Sequence, residues 1–211
     1  MFWRKNYDRS TALAVADKAR QRGSIRKAVR WYMKVLKNDP GDLQTNSKVA
    51  PLLARLGRWD ESRQSFDKAA KGFLEAGFAP KAIAVWTVAA QTSPEQVEYW
   101  ERIANEQVMR GKKQDAVQAL LQGCSQLRKK RQRPLAMLLL RQVLTLDPIH
   151  IPATLDLADL LRKDGARGEA RRLLGAILAY ARARTLRRKV RFALFRIEPS
   201  FRGALDWALA R

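Results

Sequence analysis

One cysteine, Cys124, and one histidine, His150, are all that this chain of 211 residues offers to thiol or imidazole chemistry. An internal disulfide is therefore excluded. A dedicated zinc site is not expected either, since such sites need three or four Cys, His or carboxylate ligands. Long apolar runs are also missing: the longest stretch without a charged residue runs only from Ala82 to Pro94, short of the roughly 18 residues that cross a bilayer. Near the N-terminus Arg4, Lys5, Asp8 and Arg9 surround no apolar stretch, and Ala12-Leu13-Ala14-Val15-Ala16 stops at Asp17 before a secretory core forms, so the expected location is the cytoplasm. The patterns G-x-x-x-x-G-K-[ST], G-x-S-x-G and H-E-x-x-H are absent as well. The acidic pair Asp60-Glu61 reads as the first turn of a helix, beside its positive dipole end. No enzyme activity, cofactor, metal or small-molecule substrate is expected.

Acidic residues are scarce: 20 Asp and Glu stand against 42 Lys and Arg, leaving a formal net charge of +22. The chain is still 46% apolar, and at this length about 70% of the unfolded surface can be buried, so a core is available. The charge is uneven, at +8 over residues 1–40, +2 over 41–94, +4 over 95–148 and +8 over 149–211. Both ends are the basic parts. Arg outnumbers Lys by 27 to 15, which suits bidentate contact with phosphate or carboxylate and also resembles the composition of Arg-rich bacterial proteomes.

What the sequence does have is self-similarity. Asp39-Pro40, Ser93-Pro94 and Asp147-Pro148 are spaced by 54 residues, as are Gly57, Gly111 and Gly165, Ala28, Ala82 and Ala136, and Val49, Ile103 and Leu157. Phe66, Leu120 and Leu174 form a series of large residues, with Ala69, Gly123 and Ile177 one turn later on the same face. The period is helical, so the expected fold class is all-α, with a partial copy to residue 40, full copies over 41–94 and 95–148, and a degenerate copy from 149. Each copy reads as three helices: a Gly-marked turn after the first, a turn near Gly77 or Arg131, and an Asp-Pro or Ser-Pro stop. Pro80, Pro134 and Pro152 fall in first turns, where a missing N–H costs little, whereas Pro51 falls mid-helix and should kink or break it. About twelve helices are expected, with repeats over residues 1–199 and an end-capping helix over 200–211.

These residues resemble the tetratricopeptide repeat, whose 34-residue unit reads W-x2-L-G-x2-Y, then A-x3-F, then P. Trp100, Ile103 and Ala104 stand at the spacing of W-x2-L-G, followed by Gly111 and by Ala116 and Leu120 at the spacing of A-x3-F. Residues 9–40 give Ala12, Val15, Ala16, Gly23, Ala28, Tyr32 and Pro40, and the copies at 43–74 and 151–182 vary the same theme. Phe66, Ala69, Ala70 and Gly77, followed by Ala82, Trp86, Ala89 and Pro94, form an overlapping unit, so that 54 is 34 plus 20. The resemblance implies a solenoid of antiparallel helices wound as a right-handed superhelix, acting as a scaffold or adaptor whose concave face binds a protein or peptide. With three helices per copy, successive copies must exchange which layer each helix type occupies.

On that resemblance the groove would be lined by Asp17, Arg20 and Gln21, by Ser47, Pro51 and Arg55, by Glu101, Asn105 and Met109, and by Asp159, Arg162 and Lys163. Their mixed charge does not form the Lys and Asn carboxylate clamp of the family's peptide-binding members. Two basic clusters stand out: Arg128, Lys129, Lys130, Arg131 and Arg133, and, one period later, Arg182, Arg184, Arg187, Arg188, Lys189 and Arg191. A helix dipole accounts for one or two such cations, not six. The clusters point to an acidic protein partner, with nucleic acid and an anionic membrane surface left open. Aromatics are expected mostly in the core, Trp86 and Trp100 at packing places with Trp31 and Trp59 beside them, while Trp3 and Trp207 cap the ends or anchor a partner. Cys124 takes the place of Ala70 and Leu178 in other copies and is expected to pack rather than react; His150 receives no role.

Overall fold

The computed structural model describes residues 8–208, apart from the side chains of Phe201, Arg202 and Asp206, and every regular element among them is helical. Twelve α-helices follow in order: α1 Arg9–Gln21, α2 Ile25–Asn38, α3 Leu43–Arg55, α4 Trp59–Glu75, α5 Ala79–Thr92, α6 Glu98–Met109, α7 Lys113–Gln126, α8 Arg133–Leu146, α9 Ile151–Lys163, α10 Arg167–Leu178, α11 Arg184–Ile197 and α12 Phe201–Ala208. Their starts reflect the sequence pattern. α2, α5 and α8 begin at Ile25, Ala79 and Arg133, and α4, α7 and α10 at Trp59, Lys113 and Arg167, in both cases at 54-residue steps. Pro80, Pro134 and Pro152 occupy the first turns of α5, α8 and α9, where the ring removes an N–H that has no partner within the helix.

The glycine turns have a backbone cause. Gly57 and Gly77 adopt φ of +76° and +77°, closing α3 and α4 in the left-handed region. At Gly57 an added Cβ would meet nothing within 4 Å, so backbone conformation alone selects glycine. Gly57→Ala is expected to lower the unfolding free energy by about 1–2 kcal/mol, and Gly57→Asn by less, because Asn tolerates that region. Urea unfolding checks this; equal losses would mean that crowding, not φ, governs the position.

The expected break at Pro51 does not occur. α3 runs through it to Arg55, since its apolar face is held on both sides of the proline: Val49, Ala50, Leu52 and Leu53 are buried, and Ser62 Oγ of α4 donates to the Ala50 carbonyl at 2.7 Å. Packing of this kind outweighs the roughly 3 kcal/mol that an interior proline costs.

The chain forms two compact units, residues 1–106 and 107–211. In the first, α1, α3 and α5 make one layer: Lys48 of α3 reaches Asp17 of α1 at 3.0 Å, and α3 packs on α5. The other layer holds α2, α4 and the part of α6 in this unit, joined where Phe66 meets Tyr99 edge-on at 6.3 Å and Asp67 pairs with Arg102 at 2.6 Å. Between the layers lie Ala16, Ala28, Tyr32, Val49 and Leu53, all 0% exposed. α3 and α6 therefore occupy opposite layers although they share a place in the sequence repeat. In the second unit α9 and α11 share a layer, linked by Asp159 and Arg196 at 3.4 Å. α8 and α10 are tied by Arg141 and Glu169 at 2.6 Å. Its core contains Leu120, Leu139, Leu140, Val143, Leu157 and Leu174, each 2% exposed or less; burying a side chain of this type is worth about 1.5–3 kcal/mol.

Trp86 and Trp100 are core residues at 6% and 1% exposure, but Trp59 is 56% exposed, which corrects the expectation that it packs. It lies on the stripe of Ser62, Phe66 and Phe73 yet is the first residue of α4. Periodicity locates a stripe; it does not say where neighbouring helices stop covering it. Trp31 is half-buried with the Lys34 ammonium 4.9 Å from its ring centre. α12 folds back on α11, with the Trp207 ring tilted at 42° to Phe192, their centres 5.2 Å apart, and the Arg188 guanidinium over Trp207. Trp3 lies outside the described residues.

Candidate partner-binding faces

The fold brings Asp17 of α1 against Tyr32 of α2 and Lys48 of α3, a three-helix tie. Tyr32, wholly buried, donates its hydroxyl to Asp17 Oδ1 at 2.5 Å; Lys48 Nζ donates to both carboxylate oxygens at 3.2 and 3.0 Å. Burial by itself would raise the Asp17 carboxyl, but the bonds from Tyr32 and Lys48 outweigh it and hold the carboxyl below its ordinary value. The Tyr32 hydroxyl is pushed up to about 12, first by burial and then by the Asp17 charge. Arg20 sits 3.8 Å from Asp17 and remains exposed, and Arg55 is exposed at the end of α3. Asn105 is exposed on α6, in the layer opposite α1 and α3, and Met109 is 75% exposed at the end of that helix. In the first unit the groove residues of α1 and α3 thus share a layer, while Glu101 and Asn105 of α6 do not join them.

The second unit gathers its candidates more tightly. Asp159 on α9 accepts from Arg162 at 2.9 Å, pairs with Lys163 at 2.5 Å, and reaches Arg196 of α11 at 3.4 Å. Partial burial opposes its ionisation, but Lys163 and Arg162 prevail and keep the carboxyl below its usual value. One turn away, exposed Asp156 behaves oppositely: restricted hydration and the Asp159 charge raise its carboxyl. Between α9 and α11 lies a cleft of about 320 Å³, floored by Leu155, Ala158, Leu174 and Ile197 and walled by Phe192, with Lys189 and Arg196 at its edge. Sequence reasoning found Asp159, Arg162, Lys163 and Lys189 but not Asp156, Phe192 or Arg196, for Arg196 has Gln142 as its counterpart 54 residues earlier and belongs to no repeated series.

The basic clusters divide by task. Arg128 Nε donates to the Ser125 carbonyl in the last turn of α7 at 3.0 Å, and Arg187 Nε donates to the Ala181 carbonyl in the turn between α10 and α11 at 2.8 Å. Lys130, Arg131 and Arg182 are exposed and Arg133 half-buried, and none of the four has an acidic partner among the described residues. Arg184 also lies exposed at the start of α11, and Arg188 covers Trp207. Because α7 to α11 alternate in direction, the α7–α8 turn and the α10–α11 turn, three helices apart, lie at opposite ends of the stack. Two sequence-equivalent clusters therefore do not merge into one patch.

Cys124 donates weakly to the Ala136 carbonyl at 3.6 Å, and burial pushes its thiol up to about 12, so it is protonated at neutral pH. His150, which sequence reasoning left without a role, caps α9: its Nδ1 accepts from the Ala153 amide at 3.1 Å. Among the described residues no three His, Cys, Asp or Glu side chains are grouped to hold a metal, and no helix is long and apolar enough to cross a membrane.

No protein-family profile matches the chain, and no curated protein matches it. Solved structures do. The crystal structure of MamA aligns at 15% identity over 92% of this chain and 97% of that one, with a TM-score of 0.32. MamA 41-end from Desulfovibrio magneticus RS-1 aligns at 13% identity over 91% and 97%, with a TM-score of 0.33. Pseudomonas aeruginosa pilF aligns at 15% identity over 96% and 97%, with a TM-score of 0.29. The superpositions are loose, and helix order and packing within each unit carry the fold on their own: an all-α, tetratricopeptide-like array of antiparallel helices.

Proposed function

We propose that this chain is a tetratricopeptide-type variant with a 54-residue, three-helix repeat, acting in the cytoplasm as a non-catalytic scaffold that binds an acidic protein partner. One observation carries the reading. Lys130, Arg131 and Arg182 stand exposed at helix turns with no acidic partner among the described residues, whereas Arg128 and Arg187 are engaged with backbone carbonyls of the same turns. Cations held unpaired on a folded array are positioned to steer and hold an oppositely charged surface.

The test is capture of partners by the tagged full-length chain from its native lysate, with and without nuclease. A defined set of proteins surviving nuclease is expected, and recovery should fall severalfold for the triple variant Lys130→Glu, Arg131→Glu, Arg182→Glu. Loss of all retained material on nuclease treatment would show nucleic acid to be the ligand and overturn the proposal.

A further inference from the structure

The geometry points to the cleft between α9 and α11 as the seat of an acidic peptide segment that inserts one large apolar side chain. This rests on the scaffold reading and gives it a place and a chemistry. Concave apolar surface is costly to leave in water, and here it is retained: Phe192 is 40% exposed in the wall, and Leu155 and Ala193, which also line the cleft, are half-buried. At about 320 Å³ the cleft is at the small end of ligand-sized pockets, with room for an aromatic or branched aliphatic side chain.

The edge selects the sign of what enters. Arg162, Lys163 and Arg196 all converge on the one carboxylate of Asp159; a single negative charge neutralises one of three, leaving an excess of two. Lys189 adds another cation with no ion pair among the described residues. Asp156 is a second carboxylate in the lining, so four cations face two acids and the mouth stays net positive. Acidic side chains flanking the inserted residue would find these cations at the mouth, the charge complementarity that fixes register and speeds association. A nucleic-acid base is a poorer occupant. Stacking needs a free aromatic face, and Phe192 is already packed on Trp207 at 5.2 Å. The cleft also runs along the helices rather than at their ends, so a flat bilayer does not reach its floor.

The experiment is panning of a random twelve-residue peptide display library on the full-length chain, with enriched peptides rebound to two variants. Ala193→Trp fills the cleft; Lys189→Glu reverses an exposed, unpaired edge charge and leaves the packing alone. Enrichment of peptides with one large apolar residue among Asp and Glu is expected, with binding at least about tenfold weaker to either variant. If Ala193→Trp loses helical circular dichroism, Lys189→Glu alone decides. Peptides that bind both variants like the parent would place binding elsewhere, overturning this inference while the scaffold reading stands. Enrichment of basic or purely apolar peptides, or no enrichment at all, also overturns it; the scaffold reading itself falls only with the lysate capture.

Discussion

Truncation of Trp100 to alanine is expected to cost about 3–5 kcal/mol of unfolding free energy, the range for removing a fully enclosed large aromatic side chain. Trp100 is 1% exposed, the largest of the wholly enclosed side chains, and it sits on α6 beside Tyr99, which closes on Phe66 of α4. Substitution by phenylalanine should cost far less, about 1 kcal/mol. Phenylalanine refills much of the volume, and the Trp100 Nε1–H that it removes has no acceptor among the described residues, so no hydrogen bond is forfeited. Urea unfolding followed by circular dichroism separates the two variants. Hydrogen exchange adds a spatial test: in an array whose stability is summed from neighbouring elements, amides of α4 to α6 should lose protection while those of α9 to α11 keep theirs. Equal losses for Ala and Phe would mean that the indole N–H, not the ring volume, holds this part of the core.

Removal of the Asp17 carboxylate is expected to have the second largest effect, about 2–3 kcal/mol at neutral pH for Asp17→Ala. Hydrogen bonds to a charged group contribute about 1.5–3 kcal/mol, and the variant also strands a buried hydroxyl. That hydroxyl belongs to Tyr32, 0% exposed, which donates to Asp17 at 2.5 Å, while Lys48 donates at 3.0 Å. Tyr32→Phe alone should cost less, because Asp17 keeps Lys48. In the Tyr32→Phe background Asp17→Ala should cost less than it does in the parent, a coupling that a double-mutant cycle reads directly. The sign of the pH dependence follows from the depressed Asp17 carboxyl: its stabilisation is fully present above the unfolded value of about 4 and is lost as pH falls through the lower folded value. The difference between parent and Asp17→Ala should therefore be largest near neutrality and shrink as the pH falls below the unfolded value of about 4. A difference independent of pH, or a cycle with no coupling, would show that the carboxylate does not tie α1, α2 and α3 together.

The sequence is enough to set the helices. Left-handed glycines at 57 and 77, prolines tolerated in first turns, and small residues repeated at 28, 82 and 136 are local requirements, and local requirements can be read along a chain. It is also enough to choose which stripe of most helices is buried, because the apolar period and the helix period agree. Pro51 and Trp59 mark where this stops. At Pro51 a local penalty is outweighed by contacts on both sides of α3, and at Trp59 a core-like stripe extends past what covers it. Neither outcome is encoded at the residue itself.

The binding faces were only half legible for a related reason. Charge at Asp159, Arg162 and Lys163 is visible as one turn of one helix, so its clustering could be expected from spacing. Arg196 and Phe192 come from α11 and meet α9 only because an intervening helix returns the chain to the same layer. Likewise the two basic clusters hold equivalent places in the sequence repeat, yet an odd number of helices between them reverses direction and sends them to opposite ends of the second unit. Sequence by itself determined the helical repeat, its turns and its surplus of positive charge, since each is a property of a residue and its near neighbours. The tertiary structure alone decided which charges share a face, because the alternation of layer and direction depends on how many helices lie between two residues and on how they pack.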